Sequence, residues 1–351
     1  MASKRASYEM PVGVIGSGSF GTVMGNLLAM HNDVILFARR EEVAAQMRNE
    51  RKHLGYSLNA RIMPTSNLAL LAQQCDVIFP FVPSNNFREM IRDLSPYLHP
   101  YHILIHGTKG LDMPDATLLD NPKATITREH IRTMSEVIAE ESVAVRIGCL
   151  AGPNLAKELG DQQPAATVVA SRFNEVIQIG QKLLKNNRFQ VYGSTDLIGI
   201  ELCGVLKNII AIASGALSGL GMGENARALL ISRGLVEMIY LGKALGGNTK
   251  AFIGLAGVGD VVATSSSVHS RNFTVGYRLA RGESLESIVE DMEEVAEGIN
   301  TIKIVKRLAD HYKVVAPITK ALYRVLFEDL PVEKALHNLM KFPFVEDVDF
   351  L

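Results

Sequence analysis

VGVIGSGSFGTVMGNLLAM, residues 12–30, decides how the chain begins. Val12 to Ile15 are apolar or small without alternation, which suits a strand covered on both faces. Gly16-Ser17-Gly18-Ser19-Phe20-Gly21 follows at once, and TVMGNLLAM has the spacing of a helix. Three glycines at this spacing say little alone. Placed between a strand and a helix, they are the turn that holds a dinucleotide. Gly16 permits the tight turn, Gly18 lets backbone approach a pyrophosphate, and Gly21 brings helix against strand. The first N–H groups of the helix then point at the phosphates.

Outward from this unit the pattern repeats. VILFA (34–38), DVIFPFV (76–82), HILIHG (102–107), VAVRIGCLAG (143–152) and ATVVAS (166–171) read as further buried strands. Helical stretches such as EEVAAQMRNERKHL (41–54) and NFREMIRDLSPYL (86–98) lie between several of them. Strands alternating with helices imply an α/β Rossmann-type N-terminal domain with a parallel-rich sheet. After FQVYGSTD (189–196) no further strand is expected. Helices are expected at 197–220, 226–245, 272–280, 285–292, 300–310, 318–327 and 332–340, with Ser194-Thr195-Asp196 as the first cap. The expected division is residues 1–192 as a dinucleotide-binding domain and 193–351 as an all-helical, substrate-binding C-terminal domain.

Bulk properties exclude several classes. A chain of 351 residues with a formal charge of -1 has no net field to draw it to nucleic acid or anionic lipid. Cys75, Cys149 and Cys203 lie in apolar runs without CxxC spacing, as free thiols in a reducing compartment do. No secretory h-region precedes the first strand, and the longest apolar stretch, Ile209 to Met222, is shorter than the roughly twenty residues of a membrane span. A cytoplasmic protein is expected. His99, His102 and His106 are close in sequence but fall across a turn and a strand, so no metal site is expected from them. The basic stretch RNERKHLG (48–55) reads as a solvated helix face, with a lid beside the adenosine as the other possibility.

The second strand ends in Arg39-Arg40, with Glu41 and Glu42 just beyond. A site selective for NAD usually has a carboxylate at that strand end to accept from the ribose hydroxyls; two arginines suit a 2′-phosphate. NADP is therefore favoured, with NAD possible.

Four stretches carry candidate chemistry. HGTKGL places Lys109 just past a strand end, where ligands of open α/β sheets bind. AGPNLAKEL ends another strand with Gly152-Pro153-Asn154. ELCGVLKNIIAIASGALSGLG (201–221) holds Lys207 and Asn208 in apolar surroundings. GLAGVGDVVATSSSVHSRNFTVG holds Asp260, Thr264, Ser270, Arg271 and Asn272.

GSGSFGT, the KG dipeptide, GPNLAKE, the long LKN helix, GENARA, GVGD and SRN stand in one order and spacing, and in this the chain resembles the soluble nicotinamide-dependent glycerol-3-phosphate dehydrogenases over nearly its whole length. The resemblance implies reversible hydride transfer between a nicotinamide and C2 of dihydroxyacetone phosphate or glycerol 3-phosphate, in support of phospholipid synthesis. Within that frame a lysine desolvated like Lys207, with Lys109 as a second cation nearby, is tuned to act as general acid and base. Asp260 orients it and Lys109 polarises the carbonyl. Arg271, Asn272, Ser270 and Thr264 form the site for the substrate phosphate. By the same resemblance Lys109, Gly152, Asn154 and Asn208 meet substrate. Ser19, Phe20, Lys109, Ala156, Arg271, Val295 and Glu297 then line the cofactor. A homodimer is expected, with the glycine-rich helix as a packing face. One departure is Ala263-Thr264-Ser265, where relatives often carry LTC. Two other readings are a ketopantoate- or 2-hydroxyacid-type reductase and a non-catalytic NADP sensor.

Overall fold

The strands are β1 (Val12–Ile15), β2 (Val34–Phe37), β3 (Lys52–His53), β4 (Tyr56–Ser57), β5 (Ile62–Thr65), β6 (Val77–Pro80), β7 (Ile103–His106), β8 (Arg146–Ala151), β9 (Ala165–Ser171) and β10 (Phe189–Ser194). This computed structural model describes residues 10–121, 123–292 and 296–343. Eight strands form one sheet in the order β10-β9-β8-β7-β6-β1-β2-β5, parallel except for the β8–β9 pair. From β1 the chain winds through β2 to β5 on one side, then returns to place β6 against the other side of β1. That reversal makes β1/β6 the switch point where an open α/β sheet takes its ligand.

Period-two burial explains the continuous apolar runs. Val12, Val14, Val34, Leu36, Val77, Phe79, Ile103 and Ile105 face one core. Ile15, Ile35, Phe37, Ile78 and Leu104 face the other. With helices on both faces the strands hold few polar residues, such as His106 at the end of β7. The expected strands are all present, and β5 and the small hairpin β3–β4 are additional. β5 carries Pro64, which reads as a strand breaker but is tolerated here because β5 is the edge of the sheet. The helix expected over 41–54 stops at Glu50; Leu54 and Gly55 then take φ of 48° and 81°, the left-handed pair of a two-residue hairpin turn.

The chain forms two compact units. One comprises the described residues up to Asp112 together with Thr133–Glu201, and contains the whole sheet; the other comprises Met113–Arg132 and the described residues from Leu202 onward. A single division at residue 192 does not anticipate the segment Met113–Arg132. It joins the helical unit through Arg128, whose Nε donates to Leu245 O at 3.3 Å and whose N–H donates to Tyr312 Oη at 3.0 Å. No strand lies in the second unit among the described residues.

The helix Leu197–Gly219 is apolar all round and buried along nearly its whole length, the pattern of a core helix. It is longer than the run counted from Ile209, and by length and composition alone it could cross a membrane. Its Gly215 and Gly219 pack against the helix Arg271–Ala280 of the same chain. A Cβ on Gly215 would lie 1.9 Å from Phe273 O, and one on Gly276 would lie 1.8 Å from Ile212 O. Those glycines seat the helix Arg271–Ala280 against it, so the face expected to meet a second copy is already filled.

Glu237, on the helix Glu224–Ala244, is fully buried and caps the helix Pro317–Phe327. Its carboxyl accepts from Ile318 N at 2.8 Å, from Thr319 N at 2.9 Å and from the Thr319 hydroxyl. These donors favour the ionised form, but burial outweighs them and pushes the carboxyl up to about 7. The folded value exceeds the unfolded one, so the stabilisation from this group is complete below the unfolded value and is lost as pH rises through 7. At 1.36 kcal/mol per pH unit the span amounts to about 3 kcal/mol. We expect the stability advantage of wild type over Glu237→Gln, read from urea melts, to shrink between pH 5 and pH 8. A gap constant with pH would show that Glu237 stays ionised.

Candidate active site

In the first unit the glycine loop sits at the carboxyl end of β1. Gly16 has φ of 113°, and a Cβ there would lie 2.3 Å from Phe81 O; a Cβ on Gly21 would lie 2.0 Å from Gly16 O. Only glycine fits either position. Gly18 precedes the helix Ser19–Leu28 and supplies no side-chain cap, which leaves the helix entrance shaped for an external anion. Phe20 packs edge-on against Phe81 with ring centres 5.1 Å apart, and a Cβ on Gly107 would meet both rings. The loop therefore rests on the ends of β6 and β7. The short helix Ala156–Gly160 packs against Ser19–Leu28, which brings Ala156 to the same side of the sheet.

The hairpin holds a residue that sequence reasoning passed over. His53 Nε2 donates to Ser17 O, inside the glycine loop, at 2.8 Å. Asn26 fastens the hairpin to the first helix, donating to Ser57 O and accepting from Asn59 N, both at 2.9 Å. The basic stretch near Arg48 is thus not one solvated helix face; its distal half folds back over the loop. Gly55 was the available signal.

Arg39 and Arg40 are exposed at the end of β2 and make no side-chain hydrogen bond or ion pair with the described residues. Glu41 is committed elsewhere, to Ser66 and Arg48, which hold its carboxyl below the usual range. Lys109 is half-buried beyond β7, and its Nζ donates to Gly152 O at 3.4 Å. Asn154 is held by protein atoms. Turned to satisfy both ends of its amide, it accepts from Thr167 Oγ1 and donates to Ala166 O and Pro153 O.

In the second unit Lys207 is 5% exposed and Asp260 1%. Lys207 Nζ donates to Asp260 Oδ1 at 2.8 Å and to Thr264 Oγ1 at 2.5 Å, and Thr264 Oγ1 donates to Asp260 Oδ1 at 2.9 Å. Asp260 starts the helix Asp260–Ser265 directly after a π-helical turn, Leu255–Gly259. A Cβ on Gly257 would lie 1.8 Å from Phe252 O, so the wide turn exists only with glycine there. Such turns recur at functional sites. Thr264 follows Asp260 by one helical turn, and both side chains reach the same nitrogen. The sequence reading rested on desolvation of the amine, with Asp260 named by resemblance as the group that orients it; the structure puts that carboxylate in hydrogen-bond contact with Nζ.

Around this cluster the side chains divide. Ser270 caps its own helix, accepting from Phe273 N at 3.3 Å, which leaves its O–H to donate, whereas Thr264 Oγ1 is engaged by both Lys207 and Asp260. Asn272 Oδ1 accepts from Gly298 N at 2.9 Å, while its Nδ2 has no hydrogen bond among the described residues. Asn208 is 3% exposed and its amide has no hydrogen bond among them. Arg271 is exposed at the start of its helix, and Glu297, half-buried, opens the helix Glu297–Tyr312. Gly298 packs against Asn208 O. Val295 lies outside the described residues. His102 Nε2 donates to Ala72 O and His106 meets Ser135 and Glu201, so these two histidines serve different neighbours. Ser265 is fully buried and its hydroxyl has no hydrogen-bond partner among the described residues.

The sequence matches two family models, NAD-dependent glycerol-3-phosphate dehydrogenase N-terminus over residues 11–177 and C-terminus over residues 196–337. A glycerol-3-phosphate dehydrogenase (NAD(P)+) of Teredinibacter turnerae is 39% identical over 346 residues, covering 97% of each chain. One of Staphylococcus aureus is 38% identical over 93% of this chain and 97% of its own. The crystal structure of glycerol-3-phosphate dehydrogenase from Coxiella burnetii aligns with a TM-score of 0.84 at 32% identity, over 95% of this chain and 99% of that one. With both halves matched and the fold shared, this chain belongs to the NAD-dependent glycerol-3-phosphate dehydrogenase family, a family of oxidoreductases.

Proposed function

We propose that this chain transfers a hydride reversibly between NADP(H) and C2 of dihydroxyacetone phosphate or sn-glycerol 3-phosphate, and so supplies the backbone of glycerophospholipids. The observation that carries this reading is the buried Lys207–Asp260–Thr264 cluster, beside which the Asn208 amide and Asn272 Nδ2 make no hydrogen bond among the described residues. When bound, the nicotinamide supplies or accepts the hydride. The residues present fit that cofactor: a glycine cradle that no Cβ could occupy, a helix entrance without a side-chain cap, and two exposed arginines at the end of β2. Ser19, Phe20, Ala156 and Glu297 would line it.

Reduction of a ketone also needs a proton on the developing alkoxide. Lys207 holds that proton as an ammonium stabilised by Asp260, and gives it from Nζ to the oxygen on C2. In the oxidative direction the same nitrogen takes it back. Asp260 and Thr264 aim Nζ, and Lys109 draws electron density toward the carbonyl oxygen. Arg271 and Asn272 Nδ2 receive the phosphate. Three buried cysteines, none joined in a disulfide, suit a reducing compartment such as the cytoplasm.

Steady-state oxidation of NADPH and of NADH with dihydroxyacetone phosphate tests the reading directly. Efficiency with NADPH should exceed that with NADH. Replacing Arg39 with Asp and Arg40 with Ser removes two charge-assisted contacts, so kcat/KM for NADPH should fall about tenfold or more. NADH should be nearly unaffected. An unchanged preference removes both arginines from the cofactor site.

A further inference from the structure

We infer that the buried His106–Glu201 pair is a positioning pair for this reaction. It fixes the strand end that leads to Lys109 and the first turns of the helix that carries Lys207. The inference rests on the roles proposed above for the two lysines.

His106 ends β7 and is 1% exposed; Glu201, near the start of the helix Leu197–Gly219, is 6% exposed. His106 Nε2 donates to Glu201 Oε1 at 3.0 Å, and the same oxygen accepts from Ser135 N at 2.9 Å. Ser135 lies in the first turn of the helix Met134–Glu141, and its Oγ is 3.1 Å from His106 Nε2. The Phe87 ring closes the far side, edge-on at 5.7 Å between ring centres. One carboxylate oxygen thus ties a strand to two helices.

The pair is a poor device for stability. His106 Nδ1 and Glu201 Oε2 are both buried with no hydrogen-bond partner. Each such atom destabilises the fold, and a well-packed apolar pair of similar volume is often neutral or better. What a directional polar pair supplies is register. Glu201 precedes Lys207 by six residues on one continuous helix, about 9 Å along its axis, and His106 precedes Lys109 by three. Slippage of the helix by one residue shifts it about 1.5 Å and turns it about 100°, which the bonds from His106 and Ser135 forbid. An error of about 1 Å at a reacting group can lower a rate about 100-fold.

The experiment uses the full chain with Glu201→Met, which keeps side-chain length but removes the oxygen that accepts from His106 and Ser135. Expected is a fall in kcat for dihydroxyacetone phosphate of about tenfold or more. KM for the ketone and Kd for NADPH, the latter from nicotinamide fluorescence, should stay within about twofold of wild type, because no group that touches either ligand changes. The thermal midpoint should not fall in proportion. If Glu201→Met does not fold, His106→Leu is measured in the same way. A kcat within about twofold of wild type overturns the inference. So does a loss of rate that matches a loss of NADPH-binding protein, since that is a structural role alone. A wild-type chain that binds NADPH but never reduces the ketone refutes the underlying reading instead.

Discussion

Lys207→Ala lowers kcat for NADPH-dependent reduction of dihydroxyacetone phosphate by about 10²- to 10⁴-fold, the range of a lost general acid. The Kd for NADPH should change little, because Lys207 belongs to the helical unit and the glycine cradle is built wholly within the other. Removing the amine also leaves Asp260 as a buried carboxylate without its cation, which can destabilise a protein by about 3–5 kcal/mol. Lys207→Ala should therefore be compared with Lys207→Ala/Asp260→Asn, which removes the stranded charge. If the double variant recovers thermal stability but not kcat, the lost rate belongs to chemistry. A Lys207→Ala chain that keeps kcat within about tenfold of wild type excludes the residue as proton donor. Added small primary amines offer a second readout: they should restore part of kcat in Lys207→Ala and do nothing for wild type.

How far this site could be read before any coordinates follows from where its information lies along the chain. The glycine loop is local: strand, turn and helix are contiguous, so residues 12–30 suffice. The buried strands are also local, because covering both faces leaves few polar positions and a nearly unbroken apolar run. Lys207 was conspicuous for the same reason. Its partners were not, since Asp260 lies 53 positions away and nothing in composition reports a 2.8 Å approach. Desolvation was legible from the neighbouring residues themselves, whereas the ion pair was not. The family resemblance named Asp260 but could not supply its distance. Ser270 and Asn272 show what spacing cannot report: each lends one acceptor to the fold, Ser270 Oγ to Phe273 N and Asn272 Oδ1 to Gly298 N, which leaves the O–H and the Nδ2 as the groups that could donate to an anion. His53, Glu201 and Glu237 looked ordinary because a lone polar residue in a helix or turn usually faces water. Pro64 hid a strand because its place at the sheet edge is a property of the whole topology.

Arg271→Ala raises KM for dihydroxyacetone phosphate by about 10- to 100-fold while kcat at saturation falls less. The substrate phosphate is a dianion, and a guanidinium presents a planar fork that matches two of its oxygens. Hydrogen bonds to a charged group are worth about 1.5–3 kcal/mol, and each 1.4 kcal/mol is a factor of ten in affinity. The helix beginning at Arg271 offers less than its unadorned end suggests, since Ser270 already satisfies Phe273 N. The weight therefore falls on the guanidinium and on Asn272 Nδ2, whose direction is set because Gly298 N holds the other end of the amide. Arg271→Lys keeps the charge and loses the fork, so its KM should lie between those of wild type and alanine. Inorganic phosphate separates this contact from a general loss of structure: it should inhibit wild type competitively against dihydroxyacetone phosphate, and inhibit Arg271→Ala far more weakly. The Kd for NADPH should rise less than KM for the ketone in the same variant. If KM stays within about twofold, the phosphate is bound elsewhere; if KM and Kd rise together, Arg271 serves the cofactor first.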